Sequence, residues 1–173
     1  MNSEIVLLMN AIAESTPGFT FRVLKVLAEA DWQWFPGGLS RAGFADMFNN
    51  HREKAWKEGG VFRAGANEIL LAYPFMRDFV AEHVPSRKIP LERQSFLCLC
   101  TLTGLINETK HHSTPVAMRQ RMRDAVGRFL TAHKAAYDVD SMVPKHHFQC
   151  HVVSDQEDDI FLDCFVHERQ TRL

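Results

Sequence analysis

The sequence predicts an all-α protein: an irregular helical bundle or array of about six to eight helices with no substantial sheet. Apolar residues recur at helical spacing in one segment after another, and prolines and glycines divide the chain into helix-sized pieces. No run of alternating apolar and polar residues is followed by a hairpin turn. With 173 residues, of which 46% are hydrophobic, the chain can bury a core, and we expect one compact domain.

Caps and breaks place the helices in order along the chain. Ser3 can cap the first helix, Ser40 the third and Thr114 the last, where Pro115 takes the first helical position. Pro74 predicts a kink inside the fourth helix. The breaks are Thr16-Pro17-Gly18, Pro36-Gly37-Gly38, Gly59-Gly60 and the segment 85–90, and the predicted helices span residues 3–15, 20–32, 40–57, 64–84, 91–108 and 114–137.

The last of these helices combines the clearest apolar face with a row of arginines. Its apolar positions are Met118, Met122, Ala125, Val126, Phe129, Leu130, His133 and Tyr137. Arg119, Arg121, Arg123 and Arg128 are expected opposite that face. Such a row is either an ordinary solvated face or a surface that neutralises the phosphates of DNA. The four arginines are therefore the candidate DNA-binding residues.

The chain changes character near residue 140. We expect a helical region over residues 1–140 and a His-rich segment with a terminal helix over residues 141–173. His146 and His151 are separated by a spacing that suits two zinc ligands near the end of a helix. Further donors nearby are His147, Cys150, Cys164 and His167. The spacing matches no standard zinc-finger signature, so the alternative is that these side chains pack or face solvent.

Composition narrows the classes of function. The formal net charge is -1 with 24% charged residues, so no overall basic excess indicates nucleic acid or a membrane surface as the partner. Near the N-terminus an acidic residue, Glu4, stands where a secretory signal has a basic one, and no apolar stretch is long enough to span a membrane. We expect an intracellular protein with reduced cysteines and no membrane partner.

The C-terminal block of the chain resembles a recurrent block in transposase-like open reading frames of protist genomes. It consists of residues 143–148 (VPKHHF), His151 and residues 162–169 (LDCFVHER). Three upstream segments, 44–57, 66–74 and 95–100, are also similar to those proteins, so the resemblance extends over about residues 20–173. More distantly, the block is similar to the end of the catalytic core in the CACTA-type and immune-recombinase branches of the DDE transposases, which have an RNase H-like core.

The resemblance implies roles for three residues. His146 and His151 would be zinc-binding histidines of a helical insertion. Glu168 would be the third catalytic carboxylate of a triad that holds two Mg²⁺ ions for DNA phosphoryl transfer. The sequence also departs from the family: no sheet that could carry the other two carboxylates is readable, the cysteine pair that completes the zinc site is absent, and Gln170-Thr171 stand where the family has Lys-His.

These matches and departures together predict a transposase-derived helical fragment. It would be catalytically incompetent alone, retain weak DNA or zinc binding, and lie in the nucleus, with Mg²⁺ bound only in a complete ancestral enzyme. The alternative is a non-enzymatic helical interaction or structural subunit with a protein partner, in which the histidines and cysteines only pack. A small zinc-dependent enzyme is a third interpretation, and it lacks a general base near the His/Cys cluster.

Overall fold

The fold is described from a computed structural model, which describes residues 2–16, 18–21, 46–109 and 116–142. Of these residues 81% are helical, and no strand occurs among them, so the predicted all-α class is confirmed for this part of the chain. The predicted total of six to eight helices is not confirmed. The described helices are α1 (Asn2–Ser15), α2 (Asn50–Gly59), α3 (Ala66–His83), α4 (Pro90–Thr109) and α5 (Val116–Tyr137), followed by a 3-10 helix at Val139–Ser141.

Helix α2 begins where we expected an unbroken helix from Ser40 onward, and that prediction is wrong at residues 48–49. Residues 46 and 47 are helical, the chain turns at Phe48, and Asn49 caps a new helix. The Asn49 side chain accepts a hydrogen bond from the backbone N–H of Arg52 at 2.8 Å, which satisfies a donor of the first turn. The predicted stop is confirmed: Gly60 has φ 60° and its N–H donates to the carbonyl of Trp56.

Helices α3 and α4 begin with residues suited to a first turn. The Glu68 carboxylate accepts a hydrogen bond from the N–H of Gly65, the N-cap of α3, at 2.6 Å. Pro74 lies inside α3, and the kink expected there stays a prediction. Pro90 is the first residue of α4, a position where the missing N–H costs no helical hydrogen bond. The predicted helix at 20–32 lies largely outside the described residues.

The chain divides into two compact units, residues 1–100 and 101–173, with the boundary inside α4. Four aromatic rings fill part of the core of the first unit. The ring of Phe21 stacks on Trp56 at a centroid distance of 5.2 Å and meets the rings of Phe48 and Phe62 edge-on at 5.4 and 5.9 Å. Trp56 Nε1 donates a hydrogen bond to Asn10 Oδ1 at 2.8 Å, which joins α2 to α1. Trp56 therefore belongs to the aromatic cluster and also contacts α1 through this hydrogen bond.

The carbonyl ends of two helices in the first unit receive cationic side chains. Lys88 Nζ donates to the carbonyl of Ser15 at 3.0 Å, at the end of α1. Arg93 donates to the carbonyls of Val80 and Ala81 at 3.2 and 3.0 Å, in the last turn of α3. Positive charge at a helix C-terminus is favourable because the last carbonyls have no intrahelical donor. Lys88, between α3 and α4, therefore stabilises the end of α1, and Arg93, in the first turn of α4, stabilises the end of α3.

A buried polar contact also joins α1 to α4 within the first unit. Glu4 is 1% exposed, and its Oε1 accepts a hydrogen bond from Ser95 Oγ at 2.5 Å. The two residues are separated by 91 positions in the sequence. A buried carboxylate requires such partners because burial removes its water.

In the second unit, α5 packs through the face predicted from the sequence. Met122, Ala125, Val126, Phe129 and His133 are buried, and the remaining predicted positions, Met118, Leu130 and Tyr137, are half-buried. The Ser141 hydroxyl donates to the carbonyl of Asp138 at 2.7 Å and lies 3.1 Å from His133 Nε2. The ring nitrogen therefore donates to the hydroxyl oxygen, which ties the 3-10 helix to α5. The boundary expected at residue 140 stays a prediction, because residues 143–173 lie outside the described part.

Among the helices that the structure describes, none has both the length and the apolar character needed to cross a membrane.

Candidate nucleic-acid interface

The predicted site residues fall into two groups. The four arginines expected to bind DNA lie on α5. The predicted zinc ligands His146 and His151 and the predicted catalytic residue Glu168 lie outside the described residues, as do Cys150 and Cys164. For the residues after Met142 the sequence predictions therefore stand as predictions.

Helix α5 concentrates positive charge in a chain that is nearly neutral. The whole sequence has 20 basic residues and 21 acidic ones. The α5 segment contains four arginines and Lys134 against a single acidic residue, Asp124. Such a local excess attracts polyanions even where the net charge of the protein does not. The charge of α5 thus distinguishes this helix from the rest of the sequence.

The arginines of α5 form two edges, and they do not form a single row opposite the apolar stripe as expected. At about 100° per residue, Arg119 and Arg123 lie on one side of the helix, while Arg121 and Arg128 lie roughly 170° away around its exposed face. Arg121, Arg123 and Arg128 are exposed, and Arg119 is half-buried beside the apolar face. Residues two apart on a helix cannot share a face, whereas residues four and seven apart can, so the four arginines divide into two pairs.

Small and polar residues occupy the surface between these edges. Gln120, Asp124, Gly127 and Thr131 are all exposed and lie near the middle of the exposed face. Gln120 Nε2 donates to Asp124 Oδ1 at 2.9 Å, and Arg123 Nη1 lies 3.4 Å from Gln120 Oε1. The polar groups in the middle are therefore oriented by contacts one turn apart.

Among the described residues, some cationic side chains of the first unit form ion pairs with carboxylates, unlike most arginines of α5. There, Arg52 contacts Glu68 at 3.1 Å and Lys57 contacts Glu53 at 2.7 Å. On α5, the arginines other than Arg123 form no ion pair with a carboxylate in the part of the chain that the structure describes. Unpaired exposed guanidinium groups can form paired hydrogen bonds with phosphate oxygens.

Carboxylates of the first unit have structural roles that sequence reasoning missed. Glu68 accepts hydrogen bonds from both terminal nitrogens of Arg52, at 3.1 and 3.2 Å, and also from the Gly65 N–H. The hydrogen bonds from Arg52 lower the pKa of the Glu68 carboxyl below its usual value. The spacing of 16 residues between Arg52 and Glu68 gives no sequence signal, because the contact depends on how α2 packs against α3.

Two of the four cysteines are described, and they are buried as free thiols. Cys98 and Cys100 lie on α4, where residues two apart point in different directions, and they form no disulfide. Burial raises the pKa of the Cys100 thiol to about 12. This thiol therefore remains protonated at neutral pH and packs as a small apolar group. Across residues 2–16, 18–21, 46–109 and 116–142, no three His, Cys, Asp or Glu side chains are grouped so that they could hold a metal ion.

No protein-family model, no curated protein and no solved structure matches the chain.

Proposed function

We propose that this chain is a transposase-derived helical fragment that is catalytically incompetent alone and binds DNA weakly through the arginines of α5. The observation that carries the DNA-binding part is the local charge excess of α5, whose exposed arginines Arg121 and Arg128 have no carboxylate partner among the described residues. Contacts from such side chains to the phosphate backbone release condensed counterions, so they give affinity without reading sequence. The derivation from a transposase rests on the resemblance of the C-terminal block.

We propose that the chain is catalytically inactive alone because too few of its carboxylates correspond to the metal-binding triad. DNA phosphoryl transfer with two metal ions needs acidic side chains on both ions, about 4 Å apart. By resemblance only Glu168 corresponds to a member of the triad. Two acidic side chains of the described helices, Glu4 and Glu68, instead accept hydrogen bonds from Ser95 and Arg52. Weak zinc binding through the C-terminal histidines and a nuclear location belong to the same proposal.

Fluorescence anisotropy with a labelled 30-bp DNA duplex (a random sequence) tests the proposal. We expect wild-type protein to bind at 50 mM salt and to lose most of its affinity by 200 mM, because phosphate contacts are replaced by counterions. A variant with Gln at Arg119, Arg121, Arg123 and Arg128 should bind far more weakly, since four charges are removed while helix propensity is kept. Far-UV circular dichroism checks that the variant retains its helices.

A control variant shows whether DNA affinity depends on the arginines of α5 or on positive charge anywhere in the protein. Arg63→Gln/Arg87→Gln removes two exposed positive charges from the first unit. Its affinity for DNA should stay within about twofold of wild type, because these side chains lie outside α5 and only the long-range attraction is reduced. If wild-type protein does not bind the duplex at 50 mM salt, DNA binding is excluded. The alternative, a helical interaction or structural subunit with a protein partner, would then be favoured.

A further inference from the structure

The exposed face of α5 carries polar residues between two positively charged edges. One edge carries Arg119 and Arg123, and the other carries Arg121 and Arg128, roughly 170° away across the exposed face. All four arginines lie within about 14 Å of one another along the axis of the 22-residue helix. The charge is therefore placed on both sides of one short stretch of helix.

The surface between the two arginine edges carries only small or polar side chains near its middle. Gly127 and Thr131 are small, so nothing bulky separates the edges from a surface that the helix approaches. Gln120 and Asp124 are held together by a hydrogen bond of 2.9 Å in the middle of this surface. Amide and carboxylate groups are side chains that contact the edges of bases, amide with adenine and carboxylate with the cytosine amino group. A lone acidic group is tolerated there because bases, unlike phosphates, offer donors.

We propose that α5 binds double-stranded DNA in the major groove, with one arginine edge on the phosphates of each strand; this rests on the DNA binding proposed above. The major groove is about 12 Å wide, which matches a helix with its side chains of about 10–12 Å diameter. A helix lying in this groove has one strand on each side, so two opposed arginine edges reach both backbones at once. Gln120 and Asp124 then face the base edges.

Other nucleic acids fit this arrangement less well. A single strand can contact only one arginine edge at a time, because the edges point in nearly opposite directions. The major groove of A-form RNA is too deep and narrow for side chains to read, although its phosphates carry the same charge. If charge alone determined affinity, the three nucleic acids would bind similarly, whereas the geometry of α5 favours the DNA duplex.

The test compares wild-type protein with two edge variants, Arg119→Gln/Arg123→Gln and Arg121→Gln/Arg128→Gln. The ligands are a 30-bp DNA duplex, one of its strands, and an RNA duplex of the same sequence. On the DNA duplex each variant should lose on the order of tenfold in affinity, and the slope of log K against log salt should fall by about 1.8 for two lost phosphate contacts. On the single strand either variant should lose only about twofold, because the remaining edge still binds.

Two further measurements exclude misfolding and general charge effects. Arg121→Lys/Arg128→Lys keeps both charges and should restore most of the duplex affinity that the glutamine variant loses. The control Arg63→Gln/Arg87→Gln should leave the preference for DNA duplex over single strand unchanged. The RNA duplex should bind at least about tenfold more weakly than the DNA duplex.

The outcomes separate this inference from the proposed function. If single-stranded DNA or the RNA duplex binds wild type as tightly as the DNA duplex does, binding in the major groove is excluded while DNA binding through α5 stands. The same holds if only one of the two arginine edges affects duplex affinity. If wild type binds none of the three ligands at 50 mM salt, the proposed function fails and the groove inference fails with it.

Discussion

Replacement of Trp56 is the most direct test of the packing in the first unit. The side chain is 4% exposed, stacks on Phe21 at 5.2 Å and meets Phe19 edge-on at 6.2 Å. Trp56→Ala removes a buried indole and leaves a cavity, and such changes cost about 3–5 kcal/mol of unfolding free energy. A small domain has roughly 5–15 kcal/mol in total. We therefore expect Trp56→Ala to lose a large part of the stability of this unit.

The hydrogen bond from Trp56 Nε1 to Asn10 can be isolated with milder changes. Asn10→Ala removes the acceptor, and we expect a loss of about 1–2 kcal/mol because a largely buried donor loses its partner. Trp56→Phe removes the donor and part of the ring. In the double variant the two effects should not add, and the coupling energy should be about 1 kcal/mol. Asn50→Ala, at an exposed position at the start of α2, is the control and should change stability by less than about 0.5 kcal/mol.

Urea denaturation followed by far-UV circular dichroism measures these free energies. The urea midpoint should fall with little change in the slope, because every variant exposes about the same surface area on unfolding. A loss of less than about 1 kcal/mol for Trp56→Ala would refute the assignment of this ring to the core. Additive effects of Asn10→Ala and Trp56→Phe would refute the hydrogen bond between α1 and α2.

Three further predictions concern titration, metal binding and catalysis. The pKa of Glu68 is lowered chiefly by its hydrogen bonds from Arg52, so the carboxylate stabilises the fold above its ordinary pKa of 4.5 and that contribution is lost as the pH falls through the lowered value. The Glu68 side chain is 38% exposed, so the effect is below about 1 kcal/mol, and Glu68→Gln should flatten the acid limb of a stability–pH curve; an unchanged acid limb would contradict the pairing. Purified protein should bind zinc only weakly, because two histidines supply half of a tetrahedral site, and His146→Ala/His151→Ala should abolish the binding measured by metal analysis. Tight zinc binding that survives both changes would show that other residues are the ligands. The isolated chain should neither cleave nor join DNA with Mg²⁺ or Mn²⁺. Nicking by pure protein that Glu168→Gln abolishes would show that the chain holds a complete active site.

Much of the helical architecture could be predicted from local signals. Gly59-Gly60 ends α2 as expected, and Pro90 opens α4 because it needs no hydrogen-bond donor there. The predicted apolar stripe of α5 is buried at five of its eight positions and half-buried at the other three. These features depend on residues within one or two turns of each other, so the sequence alone contains the necessary information. The break at Asn49 had a local signal, since asparagine is a preferred N-cap residue, but the apolar spacing from Phe44 to Trp56 also fits one continuous helix.

The residues of the candidate interface could be predicted from the sequence, but their arrangement on the helix was predicted wrongly. The sequence identified the arginines of α5, and it placed them together on one face. Their separation into two edges follows from helical spacing once the bounds and the buried face of α5 are known. Asp124 is one turn from both Arg121 and Arg128, yet its carboxylate accepts from Gln120 and forms no ion pair with either arginine among the described residues, which the spacing alone does not indicate.

The sequence by itself determined the helical class, the main stops of the described helices and the buried face of α5. Only the tertiary structure decided the partners that join one helix to another. Ser95 donates to Glu4 across 91 positions, and Trp56 donates to Asn10 across 46. Helix formation is a local property because its hydrogen bonds connect residues four apart. Contacts between helices depend on how whole surfaces pack, and a side chain such as Glu4 becomes a buried acceptor only when distant residues exclude water around it.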